Sequence, residues 1–207
     1  FIASLILILV ANCTVAETTK PDSYSPTFET LSINNQSAAF FSGTSKRAVV
    51  FVPGSVFNKE SWFFLAERFQ KLQIASLSLD GKGKPHVLAA IKYLVGKGFT
   101  EISLVGGSVG GSAVLNAVNG NNDPSIVKVI VLAPYGGSPI KQEKISKLFV
   151  VAKKDNLGIF SDVQKQYEES SQPKKFQVYS GSKHAQHLFK GPHKKELTDL
   201  IIEFINE

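Results

Sequence analysis

Ile102-Ser103-Leu104-Val105-Gly106-Gly107-Ser108-Val109-Gly110-Gly111-Ser112-Ala113-Val114-Leu115 is the stretch that decides how this chain reads. An apolar strand runs into Gly-x-Ser-x-Gly, and a helix-like segment continues to Val118. A strand-to-helix turn this tight leaves no room for side chains on its flanks. Glycines relieve the crowding, and the serine hydroxyl is pushed out at the end of the sheet, as in a nucleophile elbow. The pentapeptide therefore proposes covalent catalysis by Ser108. Alone it is weak evidence: with 16 glycines in 207 residues, chance can supply the pattern, and a tight turn without chemistry would look the same.

The surroundings strengthen the reading. Val87, Leu88, Ile91, Leu94 and Val95 form a helical stripe ahead of the turn. Continuous apolar runs predict buried strands at Ala48–Val52, Ile74–Leu79, Ile102–Val105, Val127–Leu132, Leu148–Ala152 and Phe176–Tyr179. Helical patterns fall between and after them, near 60–71, 86–97, 109–119, 159–170 and 193–206. Before them, alternation over Phe28–Ile33 predicts a strand that pairs with Ala38–Phe41 across Asn34-Asn35. Strands alternating with helices predict an α/β fold, with a mainly parallel central sheet and helices on both faces. Sites in such sheets form at the carboxyl ends of strands, which gives a positional test for every candidate.

Composition sets the outer limits. The chain is 43% hydrophobic and 19% charged, an ordinary globular balance that predicts a single domain over residues 27–207. Residues 1–16 hold no charge and are rich in Leu, Ile and Val. That is short for a membrane span and fits part of a secretory leader, with Thr14-Val15-Ala16 as a small-residue cleavage site. Residues 17–26 read as a polar linker. Cys13 follows Val10-Ala11-Asn12, which opens a second reading as a lipid-anchored exported protein, although Asn12 stands where a small residue is usual. Export, periplasmic or secreted, is the expectation in both cases. Cys13 is the only cysteine, so no intrachain disulfide forms. The net charge of +6 is shared evenly between residues 1–140 and 141–207, and no basic stripe for nucleic acid emerges. The Lys-Lys pairs at 153–154, 174–175 and 194–195 read as solvated element ends.

A serine nucleophile needs a base, and the base needs an acid to fix its tautomer. Of four histidines, His86 and His193 open helices and read as surface or capping residues. His184 and His187 share the loop after the last strand. His184 lies in a small, polar stretch beside Ala185 and is preferred; His187 precedes Leu188-Phe189 and reads as a packing residue. Asp155 follows the strand at Leu148–Ala152 and completes the chain order Ser, Asp, His expected with this turn. A simple turn role for Asp155 is the alternative. Asp162 lies inside the next helix, and Asp80 suits loop fixing. The tetrahedral intermediate needs two N–H donors. Val109 supplies one, and the loop Val52-Pro53-Gly54-Ser55-Val56 supplies the other through Ser55, with Val56 as the alternative.

Together these residues resemble the α/β-hydrolase superfamily, and in particular its small dienelactone-hydrolase-like members. The resemblance runs from about residue 46 to the C-terminus. Val-Phe-Val-Pro-Gly resembles the family's strand ending in His-Gly, with Pro53 replacing the histidine. Leu79-Asp80-Gly81-Lys82-Gly83 resembles its Asp-x-x-Gly-x-Gly loop. Gly106–Gly111 resembles its Gly-His-Ser-x-Gly-Gly elbow, with Gly107 in place of a bulky residue, and Gly-Ser-Lys-His-Ala resembles its catalytic-histidine loop. The resemblance implies an eight-stranded sheet or a trimmed version of it, and hydrolysis through an acyl-enzyme. Only about 15 residues separate Leu132 from Leu148, so the cap domain many relatives insert there is absent.

The expected function is cleavage of carboxylic esters or thioesters by Ser108, His184 and Asp155, with no metal or organic cofactor. The expected partner is a small-molecule ester-type substrate; no protein partner is inferable. An exported binding protein that keeps the fold without turnover, and an acyltransferase using the same residues, are the alternatives.

Overall fold

The computed structural model describes residues 27–207. The expected leader at 1–16 with Cys13, and the linker at 17–26, lie outside the described residues. Strands β1 (Glu29–Ile33) and β2 (Gln36–Phe41) form an antiparallel hairpin. Asn34 and Asn35 at its tip have φ of 48° and 63°. Two left-handed residues in succession match the twist of the flanking strands, and Asn tolerates that conformation better than most side chains.

The pattern then becomes βα. β3 (Arg47–Val52) leads through a 3₁₀ turn at Lys59–Trp62 into α1 (Phe63–Lys71). β4 (Ala75–Leu79), α2 (Lys84–Gly96), β5 (Glu101–Gly107) and α3 (Val109–Val118) follow. β6 (Ile126–Leu132) connects directly to β7 (Ser146–Ala152), which is followed by α4 (Phe160–Glu169) and β8 (Lys174–Tyr179). A second 3₁₀ turn at Ala185–Lys190 precedes α5 (Lys194–Asn206). The elements lie where the periodicity placed them, with shifts at their ends. The helix expected from 60 begins as the 3₁₀ turn, and α2 starts two residues early because Pro85 sits well in a first helical turn.

The sheet has eight strands in the order β1-β2-β4-β3-β5-β6-β7-β8. Only β2 runs antiparallel to its neighbours; β4, β3 and β5 through β8 are parallel. Every residue of β4, and Ile102–Gly107 of β5, is buried without alternation, so helices and loops cover both faces. α2 packs on α3, while α1 lies beside α5, with Lys194 Nζ 5.7 Å from the Phe64 ring.

The chain leaves β3 toward β4 on one side and returns as β5 on the other. A crevice opens where such directions diverge, at the carboxyl ends of β3 and β5. The loop after β3 is pinned on its far side: the Trp62 ring stacks on Phe51 at 5.3 Å, and Phe69 of α1 lies 6.1 Å from Phe51.

Lysines close several backbone ends. Lys147 is fully buried, and its ammonium donates to the carbonyls of Gln142, Ser171 and Gln172 at 2.6, 2.9 and 3.3 Å. Burial pulls this ammonium below the usual lysine range. Lys174 Nζ donates to Tyr167, Glu168 and Ser170 carbonyls at the end of α4, and Lys128 Nζ to those of Phe204 and Ile205 at the end of α5. A cation at a helix C-terminus satisfies orphan carbonyls and complements the helix dipole. Replacing Lys147 with Met keeps the stem and removes the donors. Lys147→Met is expected to cost about 1–3 kcal/mol, read as a lower urea midpoint with an unchanged slope.

Candidate active site

Ser108 sits between β5 and α3 with φ 53° and ψ −122°, a strained conformation for a residue with a side chain. Its backbone is held from three sides. The Ser108 N–H donates to Leu132 O of β6 at 2.9 Å, and Ser108 O accepts from Ser112 N at 3.1 Å and Tyr135 N at 3.2 Å. Two glycines make the turn sterically feasible. A Cβ on Gly106 would lie 2.5 Å from Gly110 O, and one on Gly110 would lie 2.4 Å from Val52 O and 2.5 Å from Pro53 O. α3 therefore touches the end of β3 through bare backbone.

The structure brings Ser108, His184 and Asp155 together. His184 Nε2 is 2.8 Å from Ser108 Oγ, and His184 Nδ1 is 2.9 and 3.1 Å from the two oxygens of Asp155. A carboxylate only accepts, so the ring proton belongs on Nδ1 and Nε2 is left to accept from the serine O–H. Asp155 stands directly after β7, and its side chain is fully buried. It also has the turn role weighed for it: Oδ1 accepts from Leu157 N at 2.9 Å, which fixes the carboxylate's direction. His184 follows β8 in extended conformation, so each of the three residues comes from the carboxyl end of a different strand. The arrangement can take a proton from Oγ and return it to a leaving group on the same side.

The loop after β3 lies against the serine; a Cβ on Gly54 would sit 3.3 Å from Ser108 Cβ. The Gly54 N–H is committed to Gln186 Oε1 at 2.7 Å. Among the described residues, the N–H groups of Ser55, Val56 and Val109 donate to nothing, which leaves both expected donors and the alternative Val56 available to an incoming oxygen. Val109 N–H is also the first of α3, where the helix dipole is positive.

The remaining candidates lie outside this cluster. The His187 ring packs at 4.9 Å on Phe57, and burial, with Lys190 and Lys183 nearby, holds it below the ordinary histidine range. Asp80 fixes a loop, accepting from Lys59 N and Lys59 Nζ, both at 2.8 Å. Asp162 lies in the first turn of α4. His193 precedes α5 and meets Ser180, and His86 lies against Gly81. Among the described residues no group of three His, Cys, Asp or Glu side chains is placed to hold a metal. Sequence reasoning passed over Gln186 and Ser61. The available signal was a glutamine two residues past His184, just before the apolar Leu188-Phe189.

No family model matches the chain, and no curated protein is similar to it in sequence. Solved structures are similar in fold at low identity. An esterase/lipase from an uncultured bacterium superposes with a TM-score of 0.71 at 14% identity, covering 94% of each chain. A dienelactone hydrolase from Anabaena variabilis gives 0.70 at 17% identity, over 87% of this chain and 97% of that one. An esterase of the bacterial hormone-sensitive lipase family gives 0.72 at 14% identity, over 90% and 86%. This chain has the α/β-hydrolase fold, with no cap domain between β6 and β7.

The steric demand at Gly110 is testable. Gly110→Ala forces α3 off the Val52 and Pro53 carbonyls, an overpacking expected to cost about 1–3 kcal/mol, seen as a fall in Tm. A Tm unchanged from wild type would mean that the close approach is absent.

Proposed function

We propose that this protein is a serine hydrolase that cleaves carboxylic esters or thioesters through an acyl-enzyme. The observation that carries the reading is the unbroken line from Ser108 Oγ through His184 to Asp155, with 2.8 and 2.9 Å contacts. In the first half-reaction Ser108 Oγ attacks the carbonyl carbon as His184 Nε2 takes its proton. The carbonyl oxygen becomes an oxyanion, which the Val109 and Ser55 N–H groups receive. Asp155 accepts the hydrogen bond from Nδ1–H and stabilises the imidazolium. Collapse breaks the carbon–oxygen or carbon–sulfur bond, and the leaving group takes the proton from Nε2. Water then repeats the sequence on the acyl-enzyme, giving the acid and free Ser108. The solved structures similar in fold include proteins named as esterases and lipases, which supports an ester as substrate class.

A fluorophosphonate probe is expected to label wild type at Ser108, and Ser108→Ala to remove the label. For turnover of a 4-nitrophenyl ester, His184→Ala and Asp155→Asn are each expected to lower kcat by about 10³–10⁴-fold. Absence of labelling in wild type, beside a control esterase that labels, overturns the hydrolase reading.

The loops around Ser108 carry more ammonium than carboxylate side chains. Lys82 Nζ sits on Ser55 O at 2.9 Å, and Lys190 Nζ lies 5.1 Å over the Phe57 ring. Lys183 and Lys154 are exposed neighbours of His184 and Asp155. Asp80 and Glu60, carboxylates on these loops, both pair with Lys59, at 2.8 and 3.0 Å. An ester with an ionised carboxylate on its acyl chain is therefore expected to show higher kcat/KM than its neutral isostere, by about 10-fold at low salt. The ratio should fall toward one as salt rises.

A further inference from the structure

We propose that Gln186 is a positioning residue for the second oxyanion donor: its side-chain amide holds Gly54 in place and so sets where the Ser55 N–H meets the substrate. The inference rests on the hydrolase reading and adds to it a residue that touches neither substrate nor triad hydrogen bonds.

Gln186 is 3% exposed, two residues beyond His184. Its Oε1 accepts the Gly54 N–H at 2.7 Å, and its Nε2 donates to Ser61 Oγ at 2.7 Å. Ser61 Oγ in turn donates to Asn58 O at 2.6 Å. The direction of each bond is forced. The Gly54 N–H can only donate, so it must meet the amide oxygen. The Ser61 proton is spent on Asn58 O, so the hydroxyl has only a lone pair for Nε2. The amide cannot flip without losing both bonds, and a buried amide with no partners is costly.

Gln186 also has space made for it. Gly107 has no side chain, and a Cβ there would lie 3.1 Å from both Cγ and Oε1 of Gln186. The glutamine thus fills the gap between the elbow and the loop after β3, bonded to the loop near both of its ends, at Gly54 and through Ser61. Taking the Gly54 N–H removes a competing donor and leaves Ser55 as the next free one along the loop. The histidine loop therefore does two things at once. His184 reaches the serine, and Gln186 from the same turn fixes the loop that faces the developing charge.

An acceptor removed at this point lets the loop drift, and displacement of about 1 Å costs about 100-fold in rate. The experiment is steady-state kinetics with a 4-nitrophenyl ester, inhibition by an alkylboronic acid that forms a tetrahedral adduct on serine, and thermal melts. In Gln186→Met, kcat should fall about 10- to 100-fold with KM within about twofold, and boronate affinity should fall in step with kcat. Ser61→Ala leaves Gln186 in place and only frees its amide; kcat should fall about 3- to 10-fold at unchanged KM. This milder variant decides the matter if Gln186→Met does not fold. Wild-type kcat in the folded variants, or a loss confined to KM, overturns the inference while labelling of wild type leaves the hydrolase reading intact. A wild type that neither labels nor turns over overturns both.

Discussion

The approach of α3 to the end of β3, through Gly110 and without a Cβ, is the constraint on which the site depends. It brings two stretches with N–H groups that have no acceptor among the described residues close together: the start of α3 at Val109, and the loop that leaves β3 at Pro53. Neither stretch alone makes a pocket for charge. On the proposed hydrolase reading, together they provide fixed dipoles that need no reorganisation when an oxyanion forms. The positive φ of Ser108 follows from the same contact, since the chain must reverse between β5 and α3 within a single residue. Bonds to Leu132, Ser112 and Tyr135 then hold the strained residue in place.

Parallel strands do the rest by convergence. Because β3, β5, β7 and β8 all end on one side of the sheet, each can deliver one component to the same point. They supply the loop at Gly54, Ser108, Asp155 and His184 in turn. β6, between β5 and β7, supplies no reacting group and instead anchors the serine's backbone. The hairpin of β1 and β2 sits at the far edge, next to β4, where it closes the sheet without reaching the site.

Glycine spacing and chain order made the elbow, the strand ends and the side chains that meet there legible in the sequence. Those signals are local: Gly-x-Ser-x-Gly after an apolar run, a polar loop with a histidine after the last strand, an aspartate one strand earlier. Interactions set by tertiary contact were not legible. Lys174 belongs to a pair that reads as a solvated element end, yet its ammonium clamps three carbonyls of α4, because a lysine stem can lie along apolar surface and deliver its charge at a distance. Lys147 is further still from its sequence appearance, a lysine inside an apolar strand that is fully buried because three carbonyls converge on it. Gln186 and Ser61 lie 125 residues apart, and no pattern in either segment announces the other.

The absence of a cap does not leave the reacting groups in bulk water. Ser108, His184 and Asp155 are only 7%, 8% and 5% exposed, so the strand-end loops themselves remove most of the solvent. Electrostatic contacts within the cluster are strengthened accordingly. On the proposed hydrolase reading, selectivity comes from the rim rather than from a cap. The rim is mixed: Val56, Tyr135 and Leu157 expose apolar side chains on the loops that follow β3, β6 and β7, and Lys82 and Lys183 stand among them. Apolar surface there gains when an acyl chain covers it, by about 25 cal/mol for each Å² removed from water. The ammonium groups gain only from a substrate that also carries negative charge. If the protein is the ester hydrolase proposed above, the two demands are met together by an ester that is apolar along its length and anionic at one end. A neutral short ester would meet neither, and on this rim it would be held mainly by the oxyanion contacts that every ester makes.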